Sequence, residues 1–117
     1  MKKLITTLFI LTAFSSLSFC QTQTEMNEQA SVEYKKADKE LNKIYGELLS
    51  KLDASEKKAF VASEKAWITF RDLECKFVCM GNEGGSMYPM LYSSCMTSMT
   101  EKRTTELKEI IKERDDR

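Results

Sequence analysis

Three cysteines set close together are the most reactive feature of this chain. Cys75, Cys79 and Cys95 surround a glycine-rich stretch, Gly81-Asn82-Glu83-Gly84-Gly85-Ser86, and a fourth, Cys20, lies near the N-terminus. Thiols placed this way can pair as disulfides, hold a soft metal ion or exchange with other thiols. The spacing Cys75-x-x-x-Cys79 is not the Cys-x-x-Cys of thiol oxidoreductases, which argues against exchange. Copper deserves weighing because Met80, Met87, Met90, Met96 and Met99 gather in the same region, and thioether and thiolate ligands suit Cu(I). Methionine is also an adaptable filler of small cores and contact surfaces. That second reading is the stronger one, and the sequence is expected to hold neither a metal nor a cofactor.

The chain has no histidine, which excludes a Ser-His-Asp triad, a Cys-His pair and the usual zinc sites. Two carboxylates, Asp38 and Asp72, lie beside apolar stripes, and a glycosidase needs such a pair about 5–10 Å apart across a sugar cleft. A small helical bundle offers no such cleft, and an arginine beside both groups keeps them ionised. Asp38, Asn42, Arg71 and Arg103 are better read as a structural polar network, with Asp38 and Arg71 as an inter-helix ion pair. Such networks fix register more surely than they add stability. No nucleophile–base pair can be assembled, so an enzyme is not expected.

These residues must be positioned by helices. Met26, Ala30, Tyr34, Ala37, Leu41, Ile44, Tyr45, Leu48 and Leu52 recur at steps of three and four, which predicts an amphipathic helix from about Thr24 to Leu52. Asp53-Ala54-Ser55 breaks it, and Asp53 or Ser55 can cap the next. A second helix is expected from Ser55 to Met80, with Phe60, Ala62, Ala66, Trp67, Phe70, Leu73 and Phe77 as its apolar stripe. The glycines from Gly81 to Gly85 end it. Ser86 is a plausible cap for a third helix, and Pro89, the only proline, is tolerated in a first turn. That helix carries Met90, Leu91, Cys95, Met99, Leu107, Ile110 and Ile111 and is expected to fray from Lys112. Three long helices with short connections make an all-α, up-down-up bundle.

Folding the chain back at those turns gives a level diagram. Reflection about residue 54 puts Asp38 beside Phe70 and Arg71. Reflection about residue 85 puts Cys75 beside Cys95 and Arg103 near Trp67, which in turn faces Leu41 and Asn42. A Cys75–Cys95 disulfide would staple the second and third helices and contribute about 3 kcal/mol. Cys79 has no partner at its level in the first helix; Cys20–Cys79 is the second pairing open to the chain, with slight support from the even cysteine count.

Whether Cys20 is available depends on the leader. Lys2 and Lys3, the apolar run Leu4 to Phe14 and the mostly small residues to Cys20 read as a cleavable signal peptide over 1–20, with the domain over 21–117. The run is too short for a spanning helix, which needs about 20 apolar residues, so no stable membrane span is expected after cleavage. Cleavage after Cys20 removes it; cleavage after Ser18 keeps it. Lipidation of Cys20 ranks third, because Phe19 is not the small residue such sites place before the cysteine. The expected location is periplasmic or secreted. With 18 basic and 18 acidic residues, loss of Lys2 and Lys3 leaves a net charge of −2, which predicts no general affinity for nucleic acid.

Several of these residues also form a recognisable combination. Ala37-Asp38-Lys39-Glu40-Leu41-Asn42 with Tyr45 comes first, then Ala66-Trp67-Ile68-Thr69-Phe70-Arg71-Asp72 with Cys75. Gly84-Gly85-Ser86, Pro89-Met90, Cys95, Met99-Thr100, Arg103 and Glu106-Leu107 follow. In that order they resemble the N-terminal domain of the lysozyme inhibitor LprI family, over nearly the whole mature chain. The resemblance implies a bacterial, exported, helical protein of the cell envelope whose partner is lysozyme or a related cell-wall hydrolase. One departure stands out: the family often carries a cysteine where Met26-Asn27-Glu28-Gln29-Ala30 has Gln29. For an inhibitor, the segment from Gly81 to Tyr88 is the candidate binding loop, with Asn82, Glu83, Gly84, Gly85, Ser86 and Tyr88 able to supply hydrogen bonds or shape. An envelope interaction module without lysozyme contact is the alternative, and a Cys/Met copper-binding protein a more distant one.

Overall fold

The computed structural model describes residues 22–117; the leader and Cys20 lie outside the described residues. The first helix, α1, spans Gln23–Ser50. Thr22 caps it: its hydroxyl accepts the Glu25 backbone N–H at 3.2 Å, satisfying a donor with no partner inside the helix. The expected stripe faces inward, with Ala30, Ala37, Leu41, Ile44 and Leu48 buried. The chain then turns through Lys51, whose N–H bonds back to the Leu48 carbonyl at 2.9 Å.

Of the two residues able to start the next helix, Asp53 does so. Its carboxylate accepts the Glu56 N–H at 2.8 Å while Glu56 accepts the Asp53 N–H at 3.0 Å, a reciprocal capping box. Helix α2 spans Ala54–Val78, and a short 3-10 turn, Met80–Asn82, carries the chain away. Helix α3 spans Tyr88–Asp115. Its start corrects the sequence expectation: Met87, not Ser86, occupies the cap position and makes no side-chain cap bond. Pro89 stands in the first turn, where its missing N–H costs nothing. The end differs as well. The helix continues past Lys112 because Lys51 bonds Asp115 at 2.7 Å and Arg114 forks onto both Glu56 carboxylate oxygens at 3.0 and 2.9 Å. Lys112 and Arg114 also suit the negative end of a helix.

The order is up-down-up, so α1 and α3 run parallel. Gln23 reaches Met90 at one end and Lys51 reaches Asp115 at the other. These two helices make the most extensive contact in the fold. Small residues allow it: Ala30 and Ala37 on α1 and Thr100 and Thr104 on α3 are all buried. Both threonine hydroxyls are engaged: Thr104 donates to the Thr100 carbonyl at 3.0 Å, and the Thr100 hydroxyl accepts from the Arg71 guanidinium at 3.4 Å. Toward the C-terminal ends the packing turns aliphatic, with Leu41, Ile44, Leu48, Leu107 and Ile111 as the core cluster and Tyr45, Leu52, Phe60 and Trp67 against it. Burying Leu48 and Leu107, each essentially inaccessible, contributes roughly 1.5–3 kcal/mol apiece.

Helix α2 lies differently from its expected orientation. Phe60 and Trp67 do pack on the core, and Phe60 stacks on Tyr45 at 5.0 Å between ring centroids. The rest of the predicted stripe does not: Ala62, Ala66, Phe70, Leu73 and Phe77 are exposed. The buried positions of α2 are Glu64, Arg71 and Cys75. At 100° per residue, Phe60, Glu64, Trp67, Arg71 and Cys75 share one face, and Ala66, Phe70, Leu73 and Phe77 lie opposite. Pairing of Cys75 with α3 and of Arg71 and Glu64 with their partners decides which face turns inward.

The capping box and the Arg114 fork both act on Glu56. The Asp53 N–H, with the Arg114 side chain second, holds its carboxyl below the ordinary value of 4.5. A lowered folded-state value means that this stabilisation is present above about pH 4.5 and is lost as pH falls through the folded value. Glu56→Gln is therefore expected to lower the melting temperature at pH 7. The gap to wild type should narrow as pH is lowered below 4.5 and the Glu56 carboxyl takes up its proton, as followed by circular dichroism.

Candidate functional site

Two features concentrate the polar chemistry of the molecule: the tip joining α2 to α3, and a charged layer midway along the bundle. At the tip, the Cys79 N–H closes α2 onto the Cys75 carbonyl at 3.2 Å. The Asn82 N–H then donates to the Cys79 carbonyl at 2.9 Å, Glu83 to Met80 at 3.2 Å, Gly85 to Asn82 at 3.0 Å and Tyr88 to Gly85 at 3.3 Å. The backbone thus satisfies itself through successive tight turns. Gly84 sits at φ +78°, a conformation that side chains disfavour. At Gly85 a Cβ would meet the Asn82 carbonyl oxygen at 3.1 Å. The two glycines are favoured for different reasons, Gly84 by its backbone conformation and Gly85 by the close approach of that carbonyl.

The tip is tied to the bundle at two further points. Cys75 and Cys95 form a disulfide, their Cα atoms 5.7 Å apart, as the level diagram expected. Asn27 of α1 donates its side-chain N–H to the Ser86 carbonyl at 3.0 Å and accepts from Gln23 at 2.9 Å. Sequence reasoning missed Asn27, although it stands in the same short stretch as Gln29. Asn82, Glu83, Gly84, Gly85 and Ser86 are all exposed. Tyr88 is half-buried and stacks on Tyr92 at 5.9 Å, so it props the base of the loop. Cys79 is buried with no disulfide partner among the described residues; its pairing with Cys20 falls outside them.

In the charged layer, Arg71 is buried. It bonds Asp72 at 2.9 Å, approaches Asp38 at 4.0 Å and donates to Thr100 at 3.4 Å. Asn42 donates to Asp38 at 3.4 Å. Arg103 does not join this group. It bonds Glu64 at 2.9 Å and Glu106 at 3.1 Å. The two guanidinium groups are linked through Trp67, whose ring lies 5.3 Å from Arg71 and 5.8 Å from Arg103, within cation–π range. Tyr34 adds a second ring 5.6 Å from Arg71; burial raises its phenol above the ordinary value, partly offset by that guanidinium.

Burial would by itself lower the Arg103 value, but hydrogen bonds to Glu64 and Glu106 outweigh it and raise the net. Glu64 is the residue that sequence reasoning omitted here. Its Oε2 is buried with no hydrogen-bond partner among the described residues, so Arg103 carries its compensation. Asp38 and Asp72 both face the Arg71 guanidinium, at 4.0 and 2.9 Å. The disulfide takes up two of the three thiols that a copper site near the methionines would use, and no cluster of three His, Cys, Asp or Glu side chains among the described residues could hold a metal ion.

Together these features define a small helical protein braced by a disulfide, with a stiff glycine tip at one end and a charged layer at its waist. The chain matches the family described as Lysozyme inhibitor LprI over residues 18–107, and it belongs to that family. It is 36% identical over 103 residues to an uncharacterized protein of Rhizobium meliloti, covering 77% of this chain and 74% of that one. It is 33% identical over 91 residues to the uncharacterized protein YecT of Escherichia coli, covering 64% of this chain and 56% of that one. A crystal structure of a DUF1311 family protein from Pseudomonas putida has the same fold, with a TM-score of 0.70 at 24% identity over 75% of this chain and 92% of that one.

Two stability measurements test this description. Arg103→Met strands the Glu64 carboxylate and is expected to cost about 3 kcal/mol in urea unfolding, whereas Glu64→Leu combined with Arg103→Met recovers most of that loss. Cys75→Ser with Cys95→Ser is expected to cost about 3 kcal/mol. Hydrogen exchange at the amides of Gly84 to Ser86 should quicken in the same variant.

Proposed function

We propose that this protein is exported and inhibits a lysozyme-type cell-wall hydrolase by inserting the Gly81–Tyr88 tip into the sugar-binding cleft. The observation that carries the reading is the fixation of an exposed loop from three sides: the Cys75–Cys95 disulfide behind it, its own turn hydrogen bonds within it, and the Asn27–Ser86 bond beside it. A loop already held in one shape loses little conformational freedom on binding. Lysozyme-type enzymes are commonly basic, and Glu83 at the tip offers them a complementary charge. The family to which the chain belongs supplies the class of partner. Export rests on the leader, with a periplasmic or secreted location and lipid attachment through Cys20 as the lesser variant. No helix among the described residues is long and apolar enough to cross a membrane.

A second reading, an envelope interaction module that never meets lysozyme, draws on the apolar side chains exposed along α2. Pull-down from envelope extracts that returns a single non-hydrolase partner would favour it. The decisive assay is hydrolysis of cell walls by lysozyme in the presence of the oxidised protein. Inhibition is expected at micromolar protein. Gly84→Val with Gly85→Val should raise the inhibition constant at least about tenfold, equivalent to 1.4 kcal/mol, while the helical content stays unchanged. Undiminished hydrolysis at micromolar excess of the wild-type protein would end the inhibitor reading.

A further inference from the structure

Helix α2 has two faces, and only one is used within a single chain. The inward face carries Glu64, Arg71 and Cys75. The opposite face carries Ala66, Phe70, Leu73 and Phe77 at helical spacing, and the stripe continues to Met80 just beyond the helix end. Phe70 is 56% exposed, Leu73 59%, Phe77 66% and Met80 62%. No charged residue interrupts the stripe at these positions. Scattered apolar side chains on a surface are ordinary, whereas a continuous stripe with the periodicity of a packed helix marks an interaction surface.

We propose that this stripe is covered by the same stripe of a second copy, making a two-fold symmetric dimer through α2. The sequence along the stripe is its own complement. A two-fold axis passing across the helix at Leu73 brings Leu73 onto Leu73 of the second copy. The same axis sets Ala66 level with Met80 of the second copy, a small residue against a large one, and brings Phe70 to within one residue rise, about 1.5 Å, of the level of Phe77. A self-complementary patch of this kind is what an isologous interface requires.

The area also suits a copy of the same chain. Large apolar side chains of roughly 150–250 Å² each, at these exposures, present about 450 Å² per chain. Pairing two stripes removes at most about 900 Å² from water before any flanking polar groups are counted, the size of a weak, reversible dimer rather than a permanent one. The pairing leaves the inward face, the charged layer and the disulfide untouched.

Sedimentation velocity of the oxidised mature chain, residues 21–117, over roughly 1 μM to 1 mM tests the proposal. A species of twice the chain mass is expected to form as concentration rises. Phe70→Glu with Phe77→Glu should raise the dissociation constant at least about 30-fold with the helical circular dichroism unchanged, since both side chains already face solvent. Leu73→Cys, at the symmetry axis, should give a covalent dimer on mild oxidation, while Val32→Cys, exposed on α1, should not. A chain that stays monomeric throughout the range overturns the proposal. So does a dimer indifferent to the Phe70 and Phe77 substitutions. So too does a monomer that co-sediments with anionic phospholipid vesicles only while Phe70 and Phe77 are intact, which would make the stripe a membrane-facing surface.

Discussion

The face that α2 turns toward its neighbours holds two charged side chains and a half-cystine where most small bundles place aliphatic residues. Glu64 and Arg71 cannot be buried without partners, and each finds one on a different helix or through an aromatic ring. Arg103 reaches across from α3 to Glu64, Asp38 from α1 approaches Arg71, and Trp67 lies between the two guanidinium groups. This interlocked layer fixes how far α2 slides and how it rotates. Once those are set, Cys75 arrives opposite Cys95 and the glycine turn falls at the end of the bundle. The apolar side of α2 is left in solvent by the same rotation.

Much of this was legible from spacing. Helix lengths and turn positions alone were enough to bring Cys75 to Cys95, Asp38 to Arg71 and Arg103 to Trp67, because reflections about two short turns preserve levels along straight rods. Rotation about a helix axis is another matter. The apolar stripe on α2 pointed to Phe70, Leu73 and Phe77 as core, yet the fold buries Glu64 and Arg71. Hydrophobic periodicity reports that a face wants cover and says nothing of whether this chain supplies it. Thr100 and Thr104 were missed for a related reason. Their burial follows from the close approach of α1 and α3, and small polar residues whose hydroxyls bond their own helix, as Thr104 does, or a neighbouring guanidinium, as Thr100 does, leave no mark in an apolar pattern.

The tip shows the same division. The glycines signalled a turn, and the proline signalled that a helix restarts just after it. Ser86 nevertheless does not cap that helix. Its carbonyl is engaged by Asn27, some sixty positions earlier in the chain, and the start of α3 goes without a side-chain cap. The helix starts one residue later than the capping rule suggests, with Met87 at the cap position, and Ser86 instead ties the loop to α1 through its carbonyl. The exposed polar groups of Asn82 and Glu83 are thereby carried on a rigid base.

The parallel pairing of α1 with α3 also governs how the molecule must assemble. Most of its intimate packing joins the first helix to the last, segments separated by the whole of α2. Contacts so distant in sequence are slow to form, because a long loop must close before any packing energy is gained. An amphipathic α1 emerging first from a ribosome or a translocation channel has its apolar stripe exposed until α3 follows, and α2 alone can shield little of it. A chain cut short before Leu107 and Ile111 would thus retain two well-capped helices and still lack a core, which makes the last turns of the protein the step that commits it to its native state.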